Sequence, residues 1–400
     1  MTDREFDLVL VGATGFVGRL TAAHLARSAP EGTAIALAGR SQQKLERLRA
    51  ELPQTANDWP LLRADVTDPA TAADLSARAT AIATTVGPYA NYGRELIAAC
   101  AAHGTHYADL SGEVLFVHDA IERHHTRATE TGARLVPSCG FDSVPSDLGV
   151  MLADQAAAAD NEGRLVEATL HVRRAKGGFS GGTIDSMRQQ MITMREDSST
   201  RSIVADPDAL AADRTTYGRG RRPIGKDTGT GRWHGPFVMS GYNTRVVRRS
   251  WSLAHGNAPL LYEEVVDTGR GAKGAAIAAR VALGTAGLAG AMATGPTRSV
   301  LDRLLPAPGE GPSEEQRAAG MFEIEIDAET TTGVRYAVTI AAPYDPGYGG
   351  TAIMLGQSAL ALAAGEGSER AGVLTPASAL GGALVSRLQD HDFTLEVKRA

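Results

Sequence analysis

Three glycines have the spacing of a dinucleotide-binding turn, in the run Gly12-Ala13-Thr14-Gly15-Phe16-Val17-Gly18. Gly12 permits a tight turn, Gly15 lets the backbone approach a pyrophosphate, and Gly18 lets the following helix pack close to a sheet. The run lies between an apolar segment at 6–11 and a helical pattern at 15–27, so helix N–H groups would face the phosphates. A glycine-rich turn without a ligand is the alternative. The predicted dinucleotide-binding residues here are Gly12, Thr14, Gly15, Phe16, Val17 and Gly18.

The end of the second predicted strand, 33–38, indicates which dinucleotide binds. NAD-binding enzymes usually place Asp or Glu there to hydrogen bond the ribose hydroxyls, whereas this chain has Arg40 and Ser41. Arg40 can pair with a 2′-phosphate and stack on adenine, and Ser41 adds a hydroxyl. The alternative is an exposed arginine at a helix start, where its charge opposes the helix dipole. We therefore expect NADP(H) as the cofactor.

Other candidate cofactor contacts follow the ends of further strands. Asp65 and Val66 follow the third strand, where Asp65 would reach the adenine amino group. The run Val86-Gly87-Pro88-Tyr89 follows the fourth and would line the ribose and nicotinamide, although a purely structural turn is an equally good interpretation. The carboxyl end of a later strand carries a last set, Cys139, Gly140 and Phe141. Doubly wound sheets bind their ligands at this edge.

The elements that position these residues alternate between strand and helix in the first 150 residues. This alternation predicts a right-handed, doubly wound parallel sheet of the Rossmann type. The predicted strands are 6–11, 33–38, 61–64, 81–86, 106–108 and 134–137. The predicted helices are 15–27, 41–52, 69–77, 94–103 and 114–131.

The pattern changes after residue 150, and runs with period-two alternation favour a mixed or antiparallel sheet packed on helices. The predicted strands are 168–174, 237–242, 244–253, 260–267, 321–329 and 334–342, and the last two form a hairpin. A polar stretch at 195–236 shows little periodicity, and helices are expected at 350–364 and 376–388. The fold class is α/β, with a Rossmann domain at 1–150, a second α+β domain at 151–345, and C-terminal helices at 346–400 that return to the Rossmann domain.

Composition excludes several classes of protein. The net charge of −6 over 400 residues argues against non-specific nucleic-acid binding. Two cysteines, Cys100 and Cys139, cannot form a disulfide framework and suggest a reducing, cytoplasmic compartment. The first residues lack the pattern of a signal peptide. An uncharged run at 281–297 is shorter than a membrane span, so none is expected.

Two motifs suggest other chemistry. The run Gly178-Phe179-Ser180-Gly181-Gly182 matches a hydrolase nucleophile elbow, but no acid and histidine follow in a recognisable setting. We expect instead a helix start that admits a substrate phosphate or carbonyl. The histidine pairs have no partners at zinc-site spacing, so no metal site is predicted.

At family level, several segments spread over the chain carry a resemblance. They are VGATGFVG, LAGRSQQKL, TTVGPYANYG, GTHYADLSGE, CGFDSVPSDLG, a glycine-rich turn at 177–183 and GVLTPASALG. In these segments the chain resembles saccharopine dehydrogenase-like oxidoreductases, particularly the actinobacterial trans-acting enoyl reductases of polyketide lipid synthesis. The resemblance implies a Rossmann domain followed by a substrate or dimerisation domain, and hence a homodimer as one assembly. It also implies NADPH reduction of a lipid-like enoyl thioester on an acyl carrier or polyketide synthase.

Such a reduction needs hydride at the β-carbon, a donor that polarises the thioester carbonyl and a proton at the α-carbon. The candidates for proton transfer are Tyr89, Tyr107 and Asp142, each at or near the end of a strand of the first domain. For Asp142, holding a helix start is the alternative role.

Two further segments bear on partners. Arg219, Arg221, Arg222, Lys226 and Arg232 form a basic cluster. It would meet a phosphopantetheine phosphate or an acidic carrier protein, and a solvated loop is an equally good interpretation. The stretch 271–297 is rich in alanine and glycine and predicts a buried or interfacial helix, with peripheral membrane contact as the alternative.

Two other functions are compatible with the sequence. A saccharopine-type amino-acid dehydrogenase would need an arginine cluster for the carboxylates of its substrate. A lipid-associated protein that holds nucleotide without turnover would bind NADPH tightly and oxidise none.

Overall fold

The computed structural model describes residues 4–177, 181–215, 224–227, 229–293 and 311–400. Its strands, in chain order, are β1 (Phe6–Val11), β2 (Ile35–Gly39), β3 (Leu61–Arg63), β4 (Ala79–Thr84), β5 (His106–Ala108), β6 (Arg134–Val136), β7 (Leu165–Lys176), β8 (Gly225–Lys226), β9 (Arg232–Pro236), β10 (Leu261–Arg270), β11 (Met321–Thr330), β12 (Arg335–Ala342), β13 (Gly372–Val373) and β14 (Thr394–Arg399).

The α-helices of the same residues are α1 (Phe16–Ser28), α2 (Gln42–Glu51), α3 (Pro69–Arg78), α4 (Tyr89–Tyr92), α5 (Arg94–His103), α6 (Val114–Thr131), α7 (Val144–Ala159), α8 (Gly181–Glu196), α9 (Ser199–Ala205), α10 (Ser240–His255), α11 (Gly271–Ala293), α12 (Glu314–Ala318), α13 (Thr351–Ala363), α14 (Pro376–Ala379) and α15 (Gly381–Gln389).

The first sheet is parallel throughout and has the strand order β13-β6-β5-β4-β1-β2-β3. Six of these strands have the Rossmann order 3-2-1-4-5-6, which confirms the doubly wound parallel sheet predicted from the strand–helix alternation. The order reverses between β1 and β4, so their carboxyl ends diverge into a crevice beside the glycine turn. Polar side chains cap the starts of two helices. Ser41 accepts a hydrogen bond from the Lys44 N–H at the start of α2, and Asp68 accepts one from the Thr71 N–H at the start of α3.

The second sheet is mixed, with the order β14-β12-β11-β7-β10-β9-β8. Its central pair, β7 and β10, is parallel, and the other pairs are antiparallel. The hairpin between β11 and β12 turns at Gly333, whose φ of +84° favours glycine. Along β11 the residues alternate strictly in burial, so Phe322, Ile324 and Ile326 pack into the core.

The prediction of strands at 237–242 and 244–253 is wrong, because Ser240–His255 is the helix α10. Valine, threonine and tryptophan in this segment favour strands by propensity. Its buried residues nevertheless follow a helical spacing, with Tyr242, Val246 and Arg249 on one face. Tertiary packing therefore overrides local preference here, and the buried guanidinium of Arg249 donates hydrogen bonds to the carbonyl oxygen of Val373 in β13.

The described parts of the polar stretch at 195–236 contain regular elements that its sequence did not predict, among them α9 and β9. Three arginines of the basic cluster, Arg219, Arg221 and Arg222, lie outside the described residues, as do Gly178, Phe179 and Ser180 of the hydrolase-like motif.

The segment 346–400 contributes to both sheets. Its helix α13 packs on α1 and β4, its strand β13 extends the first sheet, and β14 forms an edge of the second. The division at residues 150 and 345 stays a prediction. None of the helices in the described ranges combines the length and apolarity needed to cross a bilayer.

Candidate functional site

A cleft with a volume of ≈ 510 Å³ lies between the two sheets. The first sheet contributes the glycine turn and the carboxyl ends of β4, β5 and β6, which parallel strands bring to one edge. The opposite wall comes from β7, β10, α8, α11 and the residues just before α10. The cleft thus joins the predicted dinucleotide site to the second sheet. Its lining residues include Gly15, Phe16, Val17, Gly87, Tyr89, Ser138, Gly140, Phe141, Asp142, Val172, Met187, Phe237, Met239, Val266, Val281 and Tyr348.

The glycine turn has the geometry that its spacing predicts. Gly12 has a φ of +78°, and a Cβ there would lie 2.6 Å from the Val86 side chain. A Cβ on Gly18 would lie 2.2 Å from the carbonyl oxygen of Gly12, closer than any real contact. Both positions therefore require glycine, one for its backbone conformation and one for the close approach of α1 to the turn.

The N-terminus of α1 is open towards the cleft. Gly15 is its N-cap and makes no side-chain capping hydrogen bond, while Gly15, Phe16 and Val17 all line the cleft. Three features therefore fit the pyrophosphate of a dinucleotide: bare backbone, uncapped N–H groups and the positive end of the helix dipole. Thr14, half-buried within the same turn, lies with its side-chain oxygen near Gly39.

Arg40 and Asp65 lie beside each other at the carboxyl ends of β2 and β3, and both are exposed. Hydrogen bonds from the Thr67 hydroxyl and N–H lower the pKa of Asp65, and the charge of Arg40 lowers it further. Val66 is buried in the core behind them. Of Arg40, Asp65 and Val66, only Arg40, whose exposed guanidinium lies next to Ser41, suits a 2′-phosphate.

The loop after β4 approaches the glycine turn and is held by Glu113. One carboxylate oxygen of Glu113 accepts from the Tyr89 N–H at 2.8 Å and from the Ser186 hydroxyl at 2.7 Å. The other accepts from the Ala90 N–H at 2.8 Å. Burial raises the pKa of Glu113. This carboxylate caps α4 and joins it to α8 on the opposite wall, which fixes Val86, Gly87 and Pro88 beside the crevice.

Tyr89 lines the cleft, and its hydroxyl is already hydrogen bonded. It donates to the carbonyl oxygen of Thr84 at 3.3 Å and accepts from the Leu110 N–H at 3.1 Å. Burial raises the pKa of Tyr89 well above its usual value. The tyrosine therefore keeps its proton, and it also links the ends of β4 and β5.

Tyr107 is fully buried and does not line the cleft. Its hydroxyl donates to Asp109 at 2.7 Å, and Asp109 also accepts from the N–H groups of Ser111 at 2.7 Å and Ser138 at 2.9 Å. Burial raises the pKa of Asp109 to about 7. Tyr107 would therefore reach a substrate only through Asp109 and the loop after β6.

The loop after β6 presents Gly140, Phe141 and Asp142 to the cleft, whereas Cys139 is buried behind it. Burial raises the pKa of the Cys139 thiol. A Cβ on Gly140 would lie 2.9 Å from the Leu110 side chain, so this loop packs tightly on the one after β5. Gly140, Phe141 and Asp142 can therefore contact a ligand directly, whereas Cys139 could influence one only through its neighbours.

The sequence did not predict two functional candidates in this region, Ser138 and Tyr242. Ser138 lines the cleft with a left-handed backbone, φ +69°, and its hydroxyl lies 2.5 Å from that of Tyr242 in α10. Tyr242 fell in a segment predicted as a strand, where a contact across the cleft is not expected. No sequence pattern reliably predicts a serine with a left-handed backbone. The position of Ser138 directly after a parallel strand was the one available sign that it could lie at the site.

The charge of the cleft is one-sided in the described residues. Asp142 and Asp185 line it, and no lysine, arginine or histidine of those residues does. Most of the wall on the side of the second sheet is apolar, with Val172, Phe237 and Val281 among its side chains. No group of three or more His, Cys, Asp or Glu in the described ranges is placed to hold a metal ion.

Comparison with known proteins agrees with this geometry. Residues 8–136 match the family model of the saccharopine dehydrogenase NADP binding domain. A trans-acting enoyl reductase of Mycobacterium ulcerans is 43% identical over 418 residues, which cover 99% of this chain and 98% of that protein. A trans-acting enoyl reductase of Mycobacterium tuberculosis is 42% identical over 405 residues, covering 96% of each.

Solved structures show the same fold at low identity. Saccharopine dehydrogenase (L-Glu forming) from Saccharomyces cerevisiae superposes with a TM-score of 0.55 at 12% identity, over 98% of this chain and 99% of that one. Homospermidine synthase from Legionella pneumophila gives 0.52 at 8% identity, over 100% and 92%. The chain therefore belongs to the family of the mycobacterial trans-acting enoyl reductases, within the saccharopine dehydrogenase-like proteins, and is an NADP(H)-dependent oxidoreductase.

Proposed function

We propose that this cleft reduces the double bond of a lipid-like enoyl thioester carried by a separate synthase. One observation of the structure carries the proposal. The cleft begins at the uncapped N-terminus of α1 and continues between apolar walls that contain Phe237, Val266 and Val281. A dinucleotide at the first end and an acyl chain at the second would meet near Tyr89 and Ser138.

NADPH, when bound, supplies hydride. The residues that would hold it are those of the glycine turn and the first turn of α1, with Arg40 and Ser41 for the 2′-phosphate. Gly140 and Phe141 would line the nicotinamide end, together with the loop from Val86 to Tyr89. The apolar walls would exclude water from the acyl chain, and this strengthens the polar interactions inside.

For proton transfer, Asp142 and Tyr89 are the sequence-derived candidates that lie on the cleft. Tyr89 is already committed to two backbone groups, so its contribution is to shape the site. Asp142 is half-buried and lines the cleft, where it would exchange a proton with water. Tyr107 would act behind Asp109 rather than on the substrate.

The composition of the wall separates this proposal from a saccharopine-type reaction. A substrate with several carboxylates needs a group of cations to compensate its charge. The described lining residues offer two carboxylates and no cation, so such a substrate would be repelled. An acyl chain, which is uncharged, suits the same walls.

The partner follows from the substrate class. A thioester that remains attached to a carrier domain brings that domain to the mouth of the cleft, so we propose an acyl carrier or polyketide synthase as the partner. A homodimer and contact of α11 with a lipid surface are further proposals about assembly. They are tested by sedimentation and by flotation with liposomes.

The central experiment measures NADPH oxidation by the purified protein with a panel of enoyl thioesters, on pantetheine and on carrier protein. We expect substrate-dependent oxidation and a saturated product by mass spectrometry. The corresponding panel with imines of amino acids is the control for the saccharopine-type reaction. Tight NADPH binding without oxidation by any thioester would contradict the proposal.

A further inference from the structure

We propose that the hydroxyl of Ser138 hydrogen bonds the carbonyl oxygen of the substrate and that Tyr242 holds it in position for this. The inference rests on the proposed function, since it concerns the carbonyl of the thioester. It assigns a catalytic role to a serine outside every motif of the sequence, and a positioning role to a tyrosine of α10 that does not itself line the cleft.

Two backbone hydrogen bonds to Asp109 hold Ser138 in place, although it lies in a loop. Its N–H donates to a carboxylate oxygen of Asp109 at 2.9 Å, and the next N–H, of Cys139, donates to the Asp109 carbonyl oxygen at 2.7 Å. Together they hold Ser138 in a left-handed conformation, φ +69°, that is costly for any residue but glycine. Strained backbone of this kind persists where the surrounding structure enforces it, commonly at functional sites.

Hydrogen-bond accounting decides which hydroxyl donates in the pair. The two oxygens lie 2.5 Å apart, and neither has a second partner in the part of the chain that the structure describes. Tyr242 does not line the cleft, whereas Ser138 does. If Ser138 donated, the phenol proton of Tyr242 would be buried without an acceptor, which is unfavourable. Tyr242 therefore donates to Ser138, and the serine proton is left to face the cleft.

The surroundings of Tyr242 support this direction. It is 6% exposed, and burial raises its pKa above the usual value, with a further rise from the nearby carboxylates Asp109, Glu113 and Asp142. The phenol thus stays neutral and able to donate. The next residue, Asn243, donates to Glu264 at 3.0 Å and accepts from Ser143 at 3.2 Å, which fixes the start of α10 relative to the first sheet.

A neutral donor at this point suits the chemistry of the proposed reduction. Hydride from NADPH adds at the β-carbon and forms a C–H bond. The π pair of the C=C bond becomes a bond between the α-carbon and the carbonyl carbon, and the π pair of the carbonyl moves onto its oxygen, giving an enolate. When the carbonyl re-forms, the C=C pair of the enolate takes a proton from water at the α-carbon, so the thioester gains two electrons and two hydrogens. A fixed O–H aimed at the oxygen stabilises the charge that develops there.

The variants S138A and S138G remove the hydroxyl, and S138G relaxes the left-handed backbone, so a loss common to both is not due to strain. We expect kcat with octenoyl-pantetheine to fall about 100-fold in both, with a smaller change in KM. Y242F should lower kcat by about tenfold, because the serine hydroxyl stays but loses its donor. S146A is the matched control, since that buried serine donates to Glu264 and not to the cleft.

Binding provides a readout that does not depend on turnover. Calorimetry with NADP⁺ present would compare octanoyl-pantetheine with the thioether in which a methylene replaces the carbonyl. We expect the wild-type protein to prefer the thioester by about tenfold, S138A and S138G to lose the preference, and S146A to keep it.

The turnover and binding experiments together distinguish a failure of the proposed reduction from a failure of the proposed role of Ser138. A preference for the thioester that disappears in S138A, in a protein that reduces no enoyl thioester, would end the proposed function and support the role of Ser138. A preference that survives in S138A and S138G, or no preference in the wild type, would overturn the role of Ser138 whatever the turnover.

Discussion

Replacing Asp109 by asparagine should remove a pH-dependent loss of stability. One carboxylate oxygen of Asp109 accepts from two backbone N–H groups, those of Ser111 and Ser138, and the other accepts from the Tyr107 hydroxyl. Asparagine keeps the first oxygen, but its amide nitrogen cannot accept from the Tyr107 hydroxyl, so D109N loses one hydrogen bond at every pH. The variant therefore removes the titration, and this constant loss does not change how its stability varies with pH.

The magnitude follows from the pKa of Asp109, which burial raises from 3.8 to about 7. Between these values the folded protein holds a proton that the unfolded chain has released, so the free energy of unfolding falls as pH rises. The full contribution of Asp109 to the free energy of unfolding is present below about pH 4 and is lost as pH rises through about 7. A shift of roughly three units corresponds to about 4 kcal/mol.

The assay is urea unfolding of wild type and D109N at a series of pH values. Only the difference between the two proteins is informative, because His24 and His106, whose pKa values burial lowers to about 3 and about 4, impose the opposite dependence on both. D109N should gain stability relative to wild type by about 4 kcal/mol from about pH 4 to about pH 7. D58N, at an exposed position, is the control and should follow wild type. Parallel curves for wild type and D109N over that range would refute the reasoning.

Three further changes test other parts of the site. R40A should weaken NADPH binding by about 10- to 100-fold and leave NADH binding nearly unchanged, as fluorescence titration would show; equal losses for both would contradict a 2′-phosphate contact. G18A places a Cβ 2.2 Å from a carbonyl oxygen and should cost about 1–3 kcal/mol in urea unfolding, whereas G382A, with nothing within 4 Å, should not destabilise. E113Q turns an acceptor of a backbone N–H into a donor and should lower stability by about 1–3 kcal/mol, with the exposed E122Q as a silent control.

The Rossmann half was predictable because its signals are local and agree with one another. Residues 6–11, 94–103, 106–108 and 114–131 form elements with the predicted bounds. The glycine spacing predicted the turn, since a positive φ at Gly12 and the close packing at Gly18 are requirements that only glycine meets. The place of a buried parallel strand in such a sheet then follows from its order in the chain.

The other wall of the cleft was less predictable, because long-range packing determines it. Tyr242 lies on a helix whose valines and tryptophan favour a strand when read locally. Its contact with Ser138 joins residues 104 positions apart, and no local pattern reports such a distance. Glu113 is similar: its neighbours suggest a helix start, but its bond to Ser186 depends on how α8 docks.

The placement of β13 and β14 has a consequence for synthesis on the ribosome. Each covers an outer strand of a sheet, β6 in one and β12 in the other, and both come from the last thirty or so residues. At about 5–20 residues per second, these strands emerge roughly 20 to 70 s after β1. Until then, the nascent chain presents two unpaired strand edges to its neighbours. Chaperone dependence in the cell should therefore increase when residues 372–399 are removed, even though the glycine turn at the other end of the chain is intact.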